Sequence, residues 1–448
     1  MSGPGLFPLP LVPFEEYMLV DDRPSHPMQF FCRLRLTGEL EQQRLMDAAA
    51  KSLRRHVLLN AVVKKIKRRW CWVPVDEEEP LLNWLKVEPS DDLPPASYLD
   101  LRSAPGLRIT VRQGRTHADV VFHFHHSCCD GAGAMQYVHD LLLLYSNANG
   151  DARAELPLDV IDERLLLGRG SFGLSRWELL KLARKQMVGL AGIRKFFMRT
   201  PQPVLPHDVE LDGELPADFP SLLVHQFDQQ QTASIKRGAM QLGVSMNDLL
   251  VGDLFLALAK WRDANRHGQK DDWLRMSVPV SLRRLGDERM PAANVVSMIF
   301  LDRRGVDFDQ PQELIQSVRD EMDRIKRNHL GLTFQLSLQA FKLLPGGVKS
   351  AVNAKSCSAS GLVTNVGTVF PRSPLPQREG KLMVDRLTLD HIDIGAPNRP
   401  YQCVAFSLLV YGGRLAICTQ YDSRVLDKSQ ARGLLDTYVA QLKRHAGA

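Results

Sequence analysis

His123-Phe124-His125-His126-Ser127-Cys128-Cys129-Asp130-Gly131 is the stretch whose reading decides this chain. It completes Ala118-Asp119-Val120-Val121-Phe122, and the Val and Phe content with its alternation predicts a strand over Ala118–His126. Side chains on a strand alternate faces, so Val120, Phe122, Phe124 and His126 point one way, and Val121, His123 and His125 the other. Adjacent histidines at the strand end therefore cannot both serve one substrate. One is left for chemistry and one for the scaffold. Beyond the glycines, Ala134–Tyr145 reads as a helix leaving a Gly-rich turn.

Three chemistries fit these side chains. One imidazole, with a pKa near neutrality, can act as a general base toward an alcohol or amine. Asp130 would then anchor the turn, and Gly131 would let the backbone pack tightly. A metal site is the second reading, since His, Cys and Asp are all ligands. His123-x-His125 begins the His-x-His-x-Asp-His pattern of metallo-β-lactamase-type hydrolases, but Ser127 stands where that pattern needs Asp. The third is a Cys128 or Cys129 nucleophile with a His partner, although free cysteines more often serve packing. A pair of satisfied core histidines is the reading without chemistry.

Outward from this stretch, 448 residues (50.4 kDa) are enough for two domains of ordinary size. With 44% hydrophobic and 24% charged residues and a mean hydropathy of −0.19, the chain is neither disordered nor collagenous. No apolar run reaches the length of a membrane span. Met1–Tyr17 has neither a basic n-region nor a long apolar h-region, and seven cysteines suit a reducing compartment, so a cytoplasmic protein is expected. Strand-like runs at Met28–Leu36, Leu58–Val63, Trp70–Val75 and Gly106–Arg112 flank a helical Glu39–Arg55. The second half reads as strands at Ser221–Phe227, Arg275–Val280, Val295–Leu301, Leu362–Phe370, Arg386–Ile394, Cys403–Val410 and Leu415–Tyr421. Helices are expected over Thr232–Leu242, Met246–Arg266 with Ser245 as N-cap, Pro311–His329 and Leu426–Arg444. This mixture without strict βαβ alternation predicts an α+β protein: a first lobe over 1–170, a linker over 171–206 and a second lobe over 207–448.

His125-His126-Ser127-Cys128-Cys129-Asp130-Gly131 matches HHxxxDG, and the chain resembles the acyltransferases related to chloramphenicol acetyltransferase. These include nonribosomal condensation domains, plant BAHD acyltransferases and bacterial wax ester synthase/diacylglycerol acyltransferases. Arg55-His56-x-x-Leu59 resembles the RHxxL motif of condensation domains. Five segments resemble the wax ester synthase branch: Pro13-Phe14-Glu15-Glu16, Ser25-His26-Pro27-Met28, Asn247-Asp248, Pro279-Val280-Ser281-Leu282-Arg283, and Asn294-Val295-Val296-Ser297 with Ala293 where Gly is usual. Thr364-Asn365-Val366-Gly367 resembles the SNxG strand. The BAHD DFGWG motif is absent, and Asn83-Trp84-Leu85 stands where the wax ester synthases carry PLW.

The resemblance implies two lobes, each a mixed sheet backed by helices, with a channel between them. It implies that His126 is the general base, and that transfer from a thioester to a hydroxyl proceeds without an acyl-enzyme. It further implies that Asp130, paired with Arg283, holds the catalytic loop alongside His125, and that Gly131 gives room beside the channel. Asn365, with Thr364, is the candidate oxyanion donor, while Asn247 and Asp248 read as helix capping. Acyl-CoA or an acyl carrier thioester would be co-substrate, with no bound cofactor and no metal. A stand-alone condensation enzyme with a carrier-bound donor and amine acceptor is the alternative, followed by a non-catalytic binding module.

Residues 171–206 carry seven bases against one acid, a net +6 that equals the net charge of the whole chain. The remainder is thus neutral overall, and no nucleic acid is expected as partner. On a helical wheel Leu179, Leu182, Leu190, Ile193 and Phe197 fall opposite Lys181, Arg184, Lys185, Lys195 and Arg199. Such a face suits a linker helix packed across the lobes, a membrane or lipid-droplet surface, or the phosphates of CoA or a carrier arm. A monomer is expected.

Overall fold

The computed structural model describes residues 5–75, 81–148, 155–171, 192, 194–342, 347–352 and 356–446. In chain order the strands are β1 (Leu9–Pro10), β2 (Gln29–Thr37), β3 (Ala61–Ile66), β4 (Arg69–Pro74), β5 (Leu81–Leu85), β6 (Leu107–Gln113), β7 (His117–His125) and β8 (Ser221–Gln226). They continue with β9 (Trp273–Ser281), β10 (Val296–Arg304), β11 (Gly361–Thr368), β12 (Gln377–Arg378), β13 (Lys381–Val384), β14 (Leu387–Gly395), β15 (Val404–Tyr411) and β16 (Arg414–Tyr421). The helices are α1 (Pro13–Asp21), α2 (Gln42–Arg55), α3 (Gly131–Asn147), α4 (Gln229–Gln241), α5 (Met246–Ala264), α6 (Pro311–Arg327), α7 (Gly331–Phe341), α8 (Val348–Val352) and α9 (Lys428–Ala446).

The first sheet runs β12-β13-β14-β2-β7-β6-β5 and the second β10-β9-β11-β15-β16-β8; a small sheet, β1-β4-β3, flanks the first. Alternation on β7 sends Val120, Phe122 and Phe124 into a core shared with Leu45 and Leu53 of α2 and Tyr137 and Leu141 of α3. The second core joins Phe406 and Ile417 to Ile235, Leu254, Val318, Leu435 and Tyr438. Each such fully buried large side chain contributes about 1.5–3 kcal/mol. The expected α+β class, two mixed sheets each backed by helices, holds.

The lobes are not the consecutive blocks 1–170 and 207–448. β14 lies against β2 in the first sheet, with Leu389 opposite Leu36 and Ile394 opposite Cys32, so the chain crosses back into the first lobe. Buried Arg33 and Asp393 meet across this seam at 2.6 Å. The exposed edge of β2 needs a partner, and the apolar residues of 387–394 provide one. The second lobe also starts earlier than expected: Pro201 bridges to Trp273 and Val204 is buried in the second core. β5, α7, α8, β12 and β13 are elements that the sequence pattern did not announce.

Candidate active site

β2 begins at Gln29, opposite His125, so β7 loses that ladder partner there and the chain turns. Three hydrogen bonds shape the turn: His125 N–H to Gly106 C=O (2.8 Å), His126 N–H to Met28 C=O (2.7 Å) and Cys128 N–H to His125 C=O (3.0 Å). The two imidazoles part, as alternation requires. His125 is fully buried, and its Nδ1 accepts the Ser127 N–H at 3.1 Å, which leaves the ring proton on Nε2. That atom lies 3.4 Å from Asp22 Oδ2. Asp22 also accepts the Met28 N–H (2.9 Å) and the Tyr98 hydroxyl (2.5 Å). Burial would raise the Asp22 carboxyl, but His125, Tyr98 and the Met28 N–H outweigh it and hold its pKa below the usual value. His125 is therefore tied into the scaffold.

His126 is half-buried, its ring centroid 5.0 Å from that of Phe30. Its Nδ1 is buried without a hydrogen-bond partner, and the carbonyls of His126 itself and Cys129 lie against the ring. A general base here needs the proton on Nδ1 and the lone pair on Nε2, and carbonyls against the ring, which can only accept, suit a ring that keeps one N–H. Burial pushes the imidazole below its ordinary pKa, against the smaller upward pull of those carbonyls and Asp130. The result is a neutral imidazole at neutral pH, the form a general base requires.

Asp130 caps α3, its Oδ1 accepting the Gly133 N–H at 2.9 Å. Its Oδ2 accepts from Arg283 Nη1 at 2.6 Å and from the Val295 N–H at 2.8 Å. Burial alone would raise this carboxyl; the Arg283 charge and the three donors lower it. The segment 292–295 continues the stitching. The Ala293 C=O accepts from Arg283 Nη2 (2.9 Å) and the Asp130 N–H (3.3 Å), and Asn294 Nδ2 donates to the His126 C=O (2.7 Å). The Ala292 N–H donates to His56 Nδ1 at 2.9 Å, and His56 Nε2 lies 3.1 Å from Asp140 Oδ2 of α3. Arg55 binds the same carboxylate at 2.6 Å. His56 is thus a brace between the lobes, and Arg55 holds the Asp140 carboxylate behind it.

Gly131 and Gly133 divide their roles differently from the sequence reading. They form the first turn of α3 rather than a turn before it. A Cβ on Gly131 would sit 3.7 Å from a Val366 methyl, an ordinary contact, whereas one on Gly133 would sit 2.9 Å from the Ala293 nitrogen. Gly133 is the position where the lobes need a missing side chain. Gly133→Ala is expected to destabilise the fold by about 1–3 kcal/mol, with Gly131→Ala near neutral. Equal melting temperatures for the two variants would refute this.

Asn365 and Thr364 lie on β11. Val363 belongs to the helix-backed core, so alternation turns Leu362 and Thr364 toward the first lobe. Asn365 Nδ2 donates to Asn247 Oδ1 at 3.1 Å, and its Oδ1 accepts the Gly367 N–H at 2.9 Å. A bulge between Asn365 and Gly367 and the contact of Val366 with Gly131 bring this strand end against the N-terminus of α3. Asp248 completes a capping box with Ser245. No hydrogen bond joins Asn365 to His126 among the described residues.

Cys128 and Cys129 are fully buried, and burial pushes both thiols well up, so neither supplies a thiolate. Gly106 packs directly on the Cys128 sulfur. Among the described residues no three His, Cys, Asp or Glu side chains are grouped to hold a metal ion. Lys181, Arg184 and Lys185 lie outside the described residues. Lys195 is exposed; Arg199 bonds Asp302 at 3.3 Å and stacks 4.0 Å over Trp273, so its guanidinium is already engaged. Both line a surface basin of about 770 Å³ whose wall also carries Asp302, Asp307, Glu313, Asp320 and Glu321. Arg303, Arg324 and Arg327 line the same wall, so five cations balance five carboxylates and the basin offers a phosphate no net positive charge. Among the described residues no single helix is long and apolar enough to cross a membrane.

Asp22, Tyr98 and Asn294 are site residues whose part the sequence did not disclose. Asp22 and Tyr98 lie 103 and 27 positions from His125, in segments without a motif. Asn294 sits in a motif that gives no role.

Two lobes stitched at the His125–Gly131 loop form a fold shared with solved condensation domains and an O-acetyltransferase. No family model and no curated protein matches this sequence. Solved structures do match in fold. The first condensation domain of the CDA synthetase aligns at a TM-score of 0.70 and 14% identity, over 97% of this chain and 95% of that one. The trichothecene 15-O-acetyltransferase of Fusarium sporotrichioides aligns at 0.70 and 12%, over 97% and 94%. The epimerization domain from the third module of tyrocidine synthetase B aligns at 0.62 and 15%, over 98% and 96%.

Proposed function

We propose that the chain is an acyltransferase that moves an acyl group from a thioester to a hydroxyl acceptor, with acyl-CoA as donor, in the manner of the wax ester synthase branch. The observation that carries this reading is His126: a half-buried imidazole, kept neutral by burial, in a loop fixed by the Asp130–Arg283 pair. Nε2 takes the proton from the acceptor O–H as the oxygen attacks the thioester carbonyl. The C–S bond then breaks, and the departing thiolate takes the proton from the imidazolium, leaving an ester and a free thiol. Asn365 shares the face of Val363 and bonds Asn247, so the oxyanion donor is left to groups on the Thr364 face or to backbone N–H groups of the loop.

A carrier-bound donor with an amine acceptor is the second reading, because a condensation domain and an O-acetyltransferase fit the fold equally well. A donor-by-acceptor screen that follows free thiol release separates them. Acyl-CoAs of graded length and carrier-loaded acyl groups are offered with alcohols and with amines. Release from acyl-CoA that depends on an alcohol supports the first reading; release only from the carrier with an amine replaces it. No release in any arm would favour a binding module.

The lowered His126 pKa sets a pH dependence. Protonation removes the base, so kcat/KM is expected to stay flat down through pH about 6.5, the ordinary imidazole value, and to fall only below it. An acid limb centred above that value would count against His126.

A further inference from the structure

Two side chains of the opposite lobe hold the loop carrying His126: Arg283, which binds Asp130, and Asn294, which reaches the peptide of His126 itself. Asn294 is buried at 2% exposure, and its Nδ2 donates to the His126 C=O at 2.7 Å. We infer that Asn294 is a positioning residue for the base: it fixes the peptide plane on the far side of His126 and thereby aims the imidazole. This rests on the reading of His126 as general base.

A residue's direction is set by two soft backbone dihedrals. At His126 the N–H is already anchored to the Met28 C=O at 2.7 Å, which limits rotation on one side. Asn294 anchors the carbonyl on the other. The same carbonyl, with that of Cys129, lies against the imidazole, whose Nδ1 is buried without a hydrogen-bond partner. Moving it would disturb both ring orientation and the surroundings that suit a ring with one N–H.

Lobe closure does not need this side chain. The Val295 N–H on Asp130, the Ala293 C=O accepting the Asp130 N–H and the Ala292 N–H on His56 join the lobes through the backbone of the same segment. Asn294 Oδ1, moreover, is buried without a partner. An unpaired buried carbonyl is costly, and a residue chosen for stability alone would not carry it. The amide is retained at the base although only its donor half is used.

The test compares Asn294→Leu, of similar size without a donor, with Asn294→Gln, which keeps the amide. The first readout needs no substrate: ¹⁵N NMR of histidine-labelled protein, with the His126 resonances assigned by their loss in His126→Ala. Wild type is expected to show a proton held on Nδ1. Asn294→Leu should show both tautomers in exchange, and Asn294→Gln should restore the Nδ1 form at least in part. The second readout is turnover with the donor and acceptor found by the screen: kcat about 10–100-fold lower in Asn294→Leu, with KM unchanged. A His126 tautomer and kcat like those of wild type in folded Asn294→Leu would overturn the inference. If Asn294→Leu fails to fold, absence of the Nδ1 tautomer in wild type, or no rescue of tautomer by Gln over a folded Asn294→Ala, would do the same. Undiminished turnover in His126→Ala would instead sink the base assignment, leaving the NMR result to judge Asn294 by itself.

Discussion

His126→Ala is expected to lower thioester turnover by about 10²–10⁴-fold, the usual worth of a positioned general base, while the protein stays folded. The ring is half-buried and its Nδ1 closes no standard hydrogen bond, so little of the fold depends on it. His125→Ala should behave in the opposite way. Its imidazole accepts the Ser127 N–H and faces Asp22, both inside the core, and its loss leaves buried polar groups without partners. Melting temperature and initial rate on the two variants make the check. Loss of stability in His126→Ala at full specific activity would reverse the two assignments.

Asp130→Ala is expected to cost about 3–5 kcal/mol, toward the lower end because Arg283 keeps 19% exposure and can reach water. Three donors lose their acceptor together: Arg283 Nη1, the Gly133 N–H and the Val295 N–H. Urea titration should show a lower midpoint with an unchanged slope. The pair also gives the deficit a pH signature. The folded-state Asp130 carboxyl has its pKa below the unfolded value of about 3.9, so its stabilisation is complete above that pH. It is lost as pH falls through the lower, folded-state value. The gap between wild type and Asp130→Ala should therefore close below pH about 4. A gap constant through that range would mean that packing, not charge, carries Asp130.

The local features of the chain were legible because they depend on near neighbours. Val-Phe alternation placed β7 and separated His125 from His126. Ser245 announced itself as the N-cap of α5, and the structure adds the return bond from Asp248 that completes a capping box. Other features depended on distant partners. Residues 386–394 read as a strand, but nothing local says that β14 pairs with β2 instead of joining the second sheet. The need for glycine fell at Gly133 because the backbone of Ala293, 160 positions on, arrives there. Asp22 and Tyr98 were silent since an isolated Asp or Tyr carries no periodicity.

By itself the sequence determined the α+β class and the HHxxxDG loop, because strand alternation and the histidine pair are written within nine residues. Its +6 charge pointed to residues 171–206, but charge counting could not foresee that Arg199 is consumed by Asp302 and Trp273. Only the tertiary structure decided which groups orient His126 and how the lobes interlock at 292–295. Hydrogen bonds of that kind join residues far apart in the chain, and their geometry exists only once both lobes have folded against each other.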